Sequence, residues 1–564
     1  MNEPAIRKLV EFFEAKGLAA IKDEDRREQW YGDWLAYQAE HRLYATVLSP
    51  REYSSFGAEL NLLRLTRFLE VFAYFSPSHG YSLQVTFLGL FSILMGTNSA
   101  LKQEAVKLIE DGGLLAFGVS EKMHGSDLFG NEFTVRETTD GKFVANGTKY
   151  YIGNANVAAM ISTMAQKEGP ASGRDKRIPF VQIALRPRQS TGLQNSRKIH
   201  TLGVRAGYVG EFDVKDYVLP KEDVIADGRK AWDAVFGTVT LGKFFLGFGS
   251  IGICEHAFHE AILHLRSRSL YGKPVIEMPH LTWTVAKAYA RLTAMKLFAY
   301  RALDYVHAAD KTDRRYLLFN AVQKAKVSTE GVAVMALLSE CVGAMGFEAD
   351  TYFEMALRDT QLIPKLEGSA HINLGLTARF LPRYFGRPDS TIVEPKSLVA
   401  GEIASHENPY LMEARTGSIN TIAFPDFLKA YQPLISIPNV RLFTRQVKAF
   451  RLFLLASRLK GNQATDLAAG MALGQCLATI AYGQLIAENS IRLGIAPQMV
   501  NVIFHLLVGD LSASALALAG YAGVDTVRRL FIRRAVTVPQ SVQADWDFVT
   551  NQILTNPAYT PPSA

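Results

Sequence analysis

The 564-residue chain has 48% hydrophobic and 20% charged residues, which excludes large-scale disorder and is enough for two or more cooperative units. Its net charge of +7 is a modest excess spread along the chain, which favours anionic small ligands and does not indicate nucleic-acid binding. Cys254, Cys341 and Cys476 are far apart and lack metal-ligand spacing, so we expect buried thiols in a reducing compartment and no metal site.

Residues 1–17 are charged and amphipathic, without the apolar core and cleavage site of a secretory signal, so we expect a cytoplasmic protein. The most apolar windows, 81–95 and 511–522, are too short for a membrane span and contain polar residues. They are interpreted as buried helices.

Residues 1–112 predict an N-terminal helical domain, because stretches such as 60–75 and 81–96 have helical apolar spacing. Residues 113–225 change to short β-branched and aromatic runs separated by Gly, Asp and Asn, which predicts a mostly antiparallel β domain. The predicted strands are LLAFGVS (114–120), KFVANGTKYYIG (142–153), AMISTMA (159–165), PFVQIAL (179–185) and GEFDVKDYVL (210–219).

Helical periodicity returns over residues 226–388, which predicts a C-terminal helical bundle. The turn-rich stretch FGRPDSTIVEPKS (385–397) then precedes an appended all-α domain, 398–564. The expected fold class is therefore α+β, mainly α, with helical, β, helical and helical parts in that order. The long predicted helices are 231–270, 279–309, 313–343, 350–382, 440–459, 465–493 and 498–520.

Two motifs lie on successive β segments, VSEKMHGSD (119–127) and NGTKYYIGNA (146–155). Together they resemble the two flavin-contacting segments of the acyl-CoA dehydrogenase family. The resemblance implies bound FAD and the matching fold. It also implies the following cofactor contacts: Phe117, Val119, Ser120, Gly125, Ser126, Tyr151 and Gly153.

Within these segments, Gly125 permits close backbone approach, Ser126 can donate to a phosphate, and Tyr151 can cover one face of the flavin ring. The chain departs from the family at two positions. The family usually has Trp where this chain has Tyr151, and a Thr or Ser reaching flavin N5 where it has Gly153. On this interpretation only the backbone of Gly153 is available to contact N5 from that position.

Two further windows carry the resemblance into the helical bundle. RSRSLYGKPV (266–275) is similar to the run that reaches a neighbouring subunit's FAD, which implies that Arg268 neutralises phosphate and Tyr271 packs at the cofactor. ECVGAMGFEADTYFEMALRDTQLIPKLEGSAHIN (340–373) resembles the family's Gly-rich turn and its catalytic segment. It implies cofactor contacts from Gly343 and Ser369, and it places Glu367 at the position of the catalytic base.

A carboxylate suits this task because an α-proton next to a thioester is only weakly acidic, so the base must be desolvated and aligned. The expected substrate pocket is formed by Leu88, Phe91, Lys243, Leu366 and Gly368. Lys243 stands where the family commonly has an active-site Arg, and an interfacial lysine is an equally supported interpretation.

The resemblance implies an FAD-dependent acyl-CoA dehydrogenase that converts a saturated acyl thioester to the trans-2-enoyl thioester and passes electrons to electron-transferring flavoprotein. It also implies a homodimer, because relatives with an added C-terminal helical domain are dimers. Three alternatives stay open: an acyl-CoA oxidase using dioxygen, a dehydrogenase of acyl groups tethered to a carrier protein, and a non-catalytic flavin- or thioester-binding scaffold. Membrane association through VRRLFIRR (527–534) is left open but not favoured over a solvated helix face.

Overall fold

A computed structural model of the chain describes residues 3–168, 179–187, 192–413, 417–456, 467–521, 524 and 526–559. The chain divides into two compact units. Unit 1 contains residues 1–245 and 405–417, and unit 2 contains residues 246–404 and 418–564. The C-terminal helices fall in unit 2 together with the preceding bundle, and the division of the chain into four domains stays a prediction.

Unit 1 begins with six helices, and those predicted at 60–75 and 81–96 are confirmed with small shifts of their ends. The helix predicted at 81–96 is buried along nearly its whole length, because it carries apolar or small residues on all its faces. The helices are α1 (Pro4–Arg27), α2 (Gly32–Glu40), α3 (Leu43–Leu48), α4 (Leu62–Phe75), α5 (Pro77–Leu94) and α6 (Ser99–Glu110).

An eight-stranded sheet follows in unit 1, with the path β6-β7-β3-β2-β4-β5-β8, and β1 pairs with β4. The pairings are antiparallel except that β1 and β2 run parallel to β4, so the mostly antiparallel prediction is confirmed. The short strands β2, β6 and β8 were not predicted. The strands are β1 (Leu115–Gly118), β2 (Thr134–Glu137), β3 (Phe143–Gly153), β4 (Met160–Lys167), β5 (Phe180–Leu185), β6 (Leu193–Lys198), β7 (Val209–Leu219) and β8 (Val224–Asp227).

Helix α7 (Arg229–Ser267) contains the division between the units, and the remainder of unit 2 is helical apart from one short hairpin. The prediction of one continuous helix over 350–382 was wrong, since the chain leaves the helix after Leu362 and re-enters it at Ala370. Thr465 and Asp466, the start of another predicted helix, lie outside the described residues. The elements are β9 (Ser269–Leu270), β10 (Lys273–Pro274), α8 (Pro279–His307), α9 (Tyr316–Val322), α10 (Ser328–Val342), α11 (Tyr352–Leu362), α12 (Ala370–Ala378), α13 (Leu381–Tyr384), α14 (Pro438–Ala456), α15 (Leu467–Arg492), α16 (Pro497–Ala519), α17 (Thr526–Arg533) and α18 (Gln543–Thr555).

Buried ion pairs hold the C-terminal helices inside unit 2. The fully buried Arg301 of α8 donates to Glu488 of α15 at 2.8 Å. Arg291 of α8 donates to Asp510 of α16 at 3.0 Å, and Lys326 donates to the same carboxylate at 3.0 Å. These pairs join α15 and α16 to α8 within unit 2, and removing one partner of the fully buried Arg301–Glu488 pair would leave the other charge uncompensated.

Four helices in the described part of the chain are long and apolar enough to cross a membrane by length and composition alone. One of them is α16, so the sequence argument that its apolar window is too short was wrong. Between 44% and 78% of each apolar window is buried inside the protein, and packing accounts for that part of each window. The four are Arg229–Ser267, Tyr316–Phe347, Leu467–Arg492 and Pro497–Ala519.

Candidate active site

The two predicted flavin motifs lie side by side in unit 1. Ser120, which follows β1, donates its hydroxyl to the carbonyl of Tyr150 in β3 at 2.6 Å. The amide of Tyr150 donates back to the Ser120 carbonyl at 3.0 Å. Val119 is buried in an apolar cluster, and the Phe117 ring packs against that cluster. The structure therefore brings Phe117, Val119 and Ser120 to the same end of β3 as Tyr151.

A buried ion pair clamps the two motifs together. The Lys149 ammonium of β3 lies 2.9 Å from the Glu121 carboxylate, and both side chains are buried. Glu121 also accepts the amides of Glu132 and Phe133 at 2.7 Å and 2.9 Å. Burial lowers the pKa of Lys149 to about 8, against the opposing effect of the Glu121 charge. Both residues lie within the predicted flavin motifs, but their pairing was not predicted.

The loop after β1 presents Gly125 and Ser126 to solvent. A Cβ atom added at Gly125 meets nothing within 4 Å, and its backbone is not in the left-handed region. Neither internal packing nor backbone conformation therefore requires glycine there. A requirement for close approach by a group from outside the chain does account for it.

Tyr151 is the bulged residue of β3, because the pairing with β7 shifts register between Tyr150 and Ile152. Its φ is 63°, and the side chain is 59% exposed. A left-handed backbone costs a non-glycine residue about 1–3 kcal/mol and is concentrated at functional sites. An exposed aromatic ring held at such a bulge suits the predicted role of covering a flavin face.

Gly153 at the end of β3 is required by packing. A Cβ atom there would lie 2.5 Å from Val85 Cγ2 and 2.8 Å from the Tyr81 hydroxyl, both on α5. A Thr or Ser side chain cannot be accommodated in this arrangement. The hydroxyl of Tyr81 lies beside the place of the missing side chain, and the interpretation that only the Gly153 backbone is available to N5 from this position stays a prediction. Tyr81 lies in no predicted motif.

The next residue fixes the end of β3 to its neighbours. Asn154 is fully buried with a φ of 58°, and its side-chain amide donates to the Ser82 carbonyl at 3.0 Å. It also approaches Thr86 Oγ1 at 3.2 Å and the Leu115 carbonyl at 3.1 Å. These contacts join β3 to α5 and β1, so the orientation of Tyr151 and Gly153 depends on a buried side chain beside them.

The predicted pocket residues of unit 1 are all buried. Leu88 is 6% exposed, and Phe91 has no exposed surface and stacks on Phe87 with ring centroids 4.6 Å apart. Lys243 of α7 is 5% exposed. Phe91 is thus a core residue of α5, and the role of Leu88, Phe91 and Lys243 in binding an acyl chain stays a prediction.

In unit 2, the β9–β10 hairpin carries Tyr271, which was predicted to pack at the cofactor, and follows Arg268, which was predicted to neutralise phosphate. Tyr271 and Gly272 form its two-residue turn with φ values of 54° and 78°, as a type I′ turn requires. The Tyr271 side chain is 96% exposed, and Arg268 is exposed just before the hairpin. The exposed Tyr271 ring, held on a left-handed turn, and the exposed Arg268 guanidinium suit contact with a ligand or a second subunit.

Glu367 lies in the turn between α11 and α12. Its φ is 47° and that of Gly368 is 83°, so two consecutive left-handed residues reverse the chain. Glu367 is half-buried, and its Oε2 atom is enclosed. Leu366 and Gly368 on either side are also half-buried. A partly desolvated carboxylate on a strained turn meets the requirements of a general base.

Local contacts hold this turn. The Ser369 hydroxyl caps α12 by accepting the Ile372 amide at 3.4 Å, and the Ala370 amide donates to the Pro364 carbonyl at 2.8 Å. Asn373 donates to the carbonyls of Gly368 and Ser369 at 2.9 Å and 3.0 Å. Ser369 therefore has a structural role as a helix cap, beside the cofactor contact predicted for it.

Two further residues of unit 2 are Gly343, which was predicted to contact the cofactor, and Lys324, which was not predicted. Gly343 ends α10 with a φ of 66° and is exposed, and a Cβ atom there would meet nothing within 4 Å. The buried Lys324 lies in a π-helical turn, Gln323–Val327, and donates to the Ile363 carbonyl at the end of α11. Such turns often accompany functional sites, and this lysine fixes the helix end from which the Glu367 turn begins.

The residues of unit 1 fit the ring and polar edge of FAD. A flavin needs a flat apolar face, hydrogen-bond donors at its polar edge and a cation for its diphosphate. Tyr151 offers the exposed ring, and Ser126 and the open backbone at Gly125 offer donors. In unit 2, Arg268 is an exposed cation, as its predicted contact with a neighbouring subunit's FAD requires. Tyr151 and Tyr271, both predicted cofactor residues, are among the few non-glycine residues described with positive φ.

The similarity to known proteins covers both the β segment and the helical segment described above. Residues 116–217 match the acyl-CoA dehydrogenase middle domain, and residues 230–381 match the acyl-CoA dehydrogenase C-terminal domain. Cyclohex-1-ene-1-carbonyl-CoA dehydrogenase of Syntrophus aciditrophicus is 24% identical over 336 residues, which are 59% of this chain and 78% of the relative. Glutaryl-CoA dehydrogenase of Desulfococcus multivorans is 26% identical over 373 residues, which are 65% of this chain and 93% of the relative.

The fold extends through the C-terminal helices in a solved structure. An acyl-CoA dehydrogenase complexed with FAD from Bacillus anthracis superimposes with a TM-score of 0.77, covering 97% of this chain and 94% of that chain at 16% identity. That identity supports the fold alone. Taken with the two domain matches and the geometry of the two motifs, it leads to one conclusion: the chain belongs to the acyl-CoA dehydrogenase family of FAD-dependent oxidoreductases.

Proposed function

We propose that this enzyme removes the α- and β-hydrogens of a saturated acyl thioester, preferably an acyl-CoA, to give the trans-2-enoyl thioester, with Glu367 as the α-proton base. The observation that carries the proposal is the Glu367 turn. It places a half-buried carboxylate in left-handed backbone between two helices, held by the cap at Ser369 and the amide of Asn373.

Bound FAD supplies the acceptor that takes the β-hydrogen as hydride. The chain's own task is to take the α-proton onto a Glu367 carboxylate oxygen, while the thioester carbonyl draws electron density from the α-carbon. Partial desolvation makes a carboxylate a stronger base than full hydration does, so the half-buried position of Glu367 favours its acceptance of the proton. The family resemblance also assigns the backbone amide of Glu367 to the thioester oxygen, where a donor stabilises the developing negative charge.

Anaerobic mixing of purified protein with a panel of acyl-CoA and acyl-carrier-protein thioesters tests this function, with flavin absorbance as the readout. We expect rapid bleaching by at least one acyl-CoA and formation of the enoyl product. Bleaching only by carrier-bound substrates would indicate the carrier-protein alternative. If a chemical reductant bleaches the flavin but no thioester does, the dehydrogenase proposal fails in favour of a binding scaffold.

We further propose that the reduced enzyme passes its electrons to electron-transferring flavoprotein. After anaerobic reduction by substrate, this flavoprotein should restore the flavin absorbance much faster than air-saturated buffer does. Faster reoxidation by dioxygen, with hydrogen peroxide as product, would identify an oxidase instead.

We also propose a homodimer. The support in unit 2 is a set of exposed aromatic side chains on turns, with Tyr271 96% exposed and Phe347 93% exposed, which a second copy can cover. Light scattering on the full chain should give twice the 62.4 kDa chain mass. A monomer or a tetramer would contradict the proposal. Truncation before α14 is not a suitable test, because α15 and α16 belong to the core of unit 2.

A further inference from the structure

The side of β3 that faces α5 holds a hydroxyl group contributed by a residue distant in sequence. Tyr81 is half-buried on α5, and its hydroxyl oxygen lies 2.8 Å from the point where a Cβ atom at Gly153 would stand. That separation is about two covalent bond lengths. The phenol oxygen therefore lies beside position 153, at least about one covalent bond length from where the hydroxyl oxygen of a Ser or Thr there would be.

The surroundings of Tyr81 hold it there. Its ring packs against the apolar cluster under the sheet, which includes Val85 and Ile152. The next residue on α5, Ser82, accepts at its carbonyl from the buried Asn154 at 3.0 Å, and its hydroxyl lies 2.6 Å from Tyr44. The Asn154–Ser82 bond thus joins α5 to the end of β3 one residue beyond Tyr81 and Gly153, and the packing of the Tyr81 ring on the cluster restricts the phenol.

Gly153 and Tyr81 depend on each other sterically. With Gly153 the strand end has room for the phenol, and with Tyr81 in place any side chain at position 153 would clash. Tyr151, two residues earlier, presents its ring to solvent from the same strand end. A hydroxyl group and an exposed aromatic ring therefore lie at one edge of unit 1, as a site for the edge and face of a flavin requires.

We propose that the Tyr81 hydroxyl donates to the N5 edge of the bound flavin, in place of the side-chain hydroxyl that the family usually carries at position 153. Tyr81 is then a cofactor-contacting residue that tunes the flavin. Its effect on the oxidised spectrum rests on FAD binding alone, whereas its effect on the reduction rate rests on the proposed function.

The test is Tyr81→Phe, which removes one oxygen atom and keeps the ring and its packing. The matched control is Tyr208→Phe, since Tyr208 is also half-buried and packs on the same cluster. Both holoenzymes are compared with wild type by visible absorption spectrum, flavin midpoint potential, melting temperature and rate of anaerobic bleaching by an acyl-CoA. The loss of one hydrogen bond should slow bleaching about two- to tenfold in Tyr81→Phe.

We expect the flavin spectrum and midpoint potential to shift in Tyr81→Phe and to remain unchanged in Tyr208→Phe, at similar melting temperatures. A Tyr81→Phe holoenzyme with wild-type spectrum and potential would overturn the inference. An equal shift in both variants would also overturn it, because a general packing change would then be the cause. If no acyl thioester bleaches even the wild-type enzyme, the proposed function fails while the spectra still decide the role of Tyr81.

Discussion

The end of β3 in unit 1 and the α11–α12 turn in unit 2 both hold a predicted site residue in left-handed backbone, but they are held differently. Tyr151, at φ 63°, belongs to a strand end fixed by side chains from α5 and from the loop after β1. Glu367, at φ 47°, belongs to a turn fixed mainly by residues within six positions of it, Pro364, Ser369 and Asn373.

This difference determines how each segment tolerates change. A locally held turn keeps its geometry as long as its own short sequence is retained. A strand end held by distant side chains can lose a family residue, as at Gly153, when a partner elsewhere fills the space, as Tyr81 does. Substitutions in the Glu367 turn should therefore act mainly on chemistry, and substitutions around β3 should act first on stability and cofactor retention.

The largest expected effect is on chemistry in the α11–α12 turn. Glu367→Gln keeps the shape of the side chain but cannot accept the α-proton, so flavin bleaching by an acyl-CoA should slow about 10²- to 10⁴-fold. FAD content and acyl-CoA binding should be retained. Stopped-flow absorbance measures the rate, and Glu340→Gln, an exposed glutamate on α10, is the control. A Glu367→Gln enzyme with near wild-type bleaching would show that another residue is the base.

At the β3 end, the largest effect should come from the buried ion pair. Lys149→Met leaves the Glu121 carboxylate buried without its counter-ion, and breaking such pairs costs about 3–5 kcal/mol. The two backbone amides that Glu121 accepts should keep the loss near the lower end. We expect a lower melting temperature and faster release of FAD, measured by scanning calorimetry and by flavin fluorescence.

The control for this variant is Lys142→Met, because Lys142 is an exposed lysine just before β3 that pairs with Asp140 on the surface. Its loss should cost no more than about 1 kcal/mol. Equal effects of the two substitutions would mean that the buried pair contributes nothing special to the flavin loop.

The sequence was informative where the determinants are local. The helix periods, the flavin motifs and the Glu-Gly-Ser turn were all visible because each is written in a short continuous stretch. Asn154 and the Glu121–Lys149 pair make hydrogen bonds between residues 28 to 72 positions apart in sequence, and Tyr81 contacts Gly153 from a different element. These partners could therefore not be assigned without the fold. The residues at which the helix predicted over 350–382 ends and restarts, Leu362 and Ala370, were not predicted because the apolar spacing continues on both sides of the turn.

Two substitutions compare the two regions directly. Asn154→Ala removes a buried amide that donates to the carbonyls of Ser82 and Leu115, which should cost about 1–3 kcal/mol and loosen Tyr151. Ser369→Ala removes a helix cap at a half-exposed site and should cost about 1 kcal/mol. Melting temperatures of the two variants should rank in that order. The reverse order would show that the α11–α12 turn depends on its cap more than the strand end depends on Asn154.

The smallest expected effect concerns pH and the start of α5, the helix that carries Tyr81. His79 is fully buried, with its Nδ1 2.7 Å from the Ser76 hydroxyl and its ring stacked on Tyr31 at 4.3 Å. Burial lowers the pKa of His79, and the Glu24 carboxylate 3.4 Å away opposes this shift without cancelling it. Lys16 adds to the lowering, and Asp33 acts against it.

Because the folded-state pKa of His79 lies below its unfolded value of about 6.5, the folded protein binds fewer protons than the unfolded chain as the solution is acidified. The neutral imidazole therefore contributes stability that is fully present above pH 6.5 and is lost as pH falls through the folded-state pKa. His79→Gln should lower the melting temperature at pH 7.5 but flatten its decline toward pH 5. His280→Gln, which changes an exposed histidine at the start of α8, is the control. Parallel pH profiles for wild type and His79→Gln would mean that the acid sensitivity arises elsewhere and that α5 is not held by a titrating group.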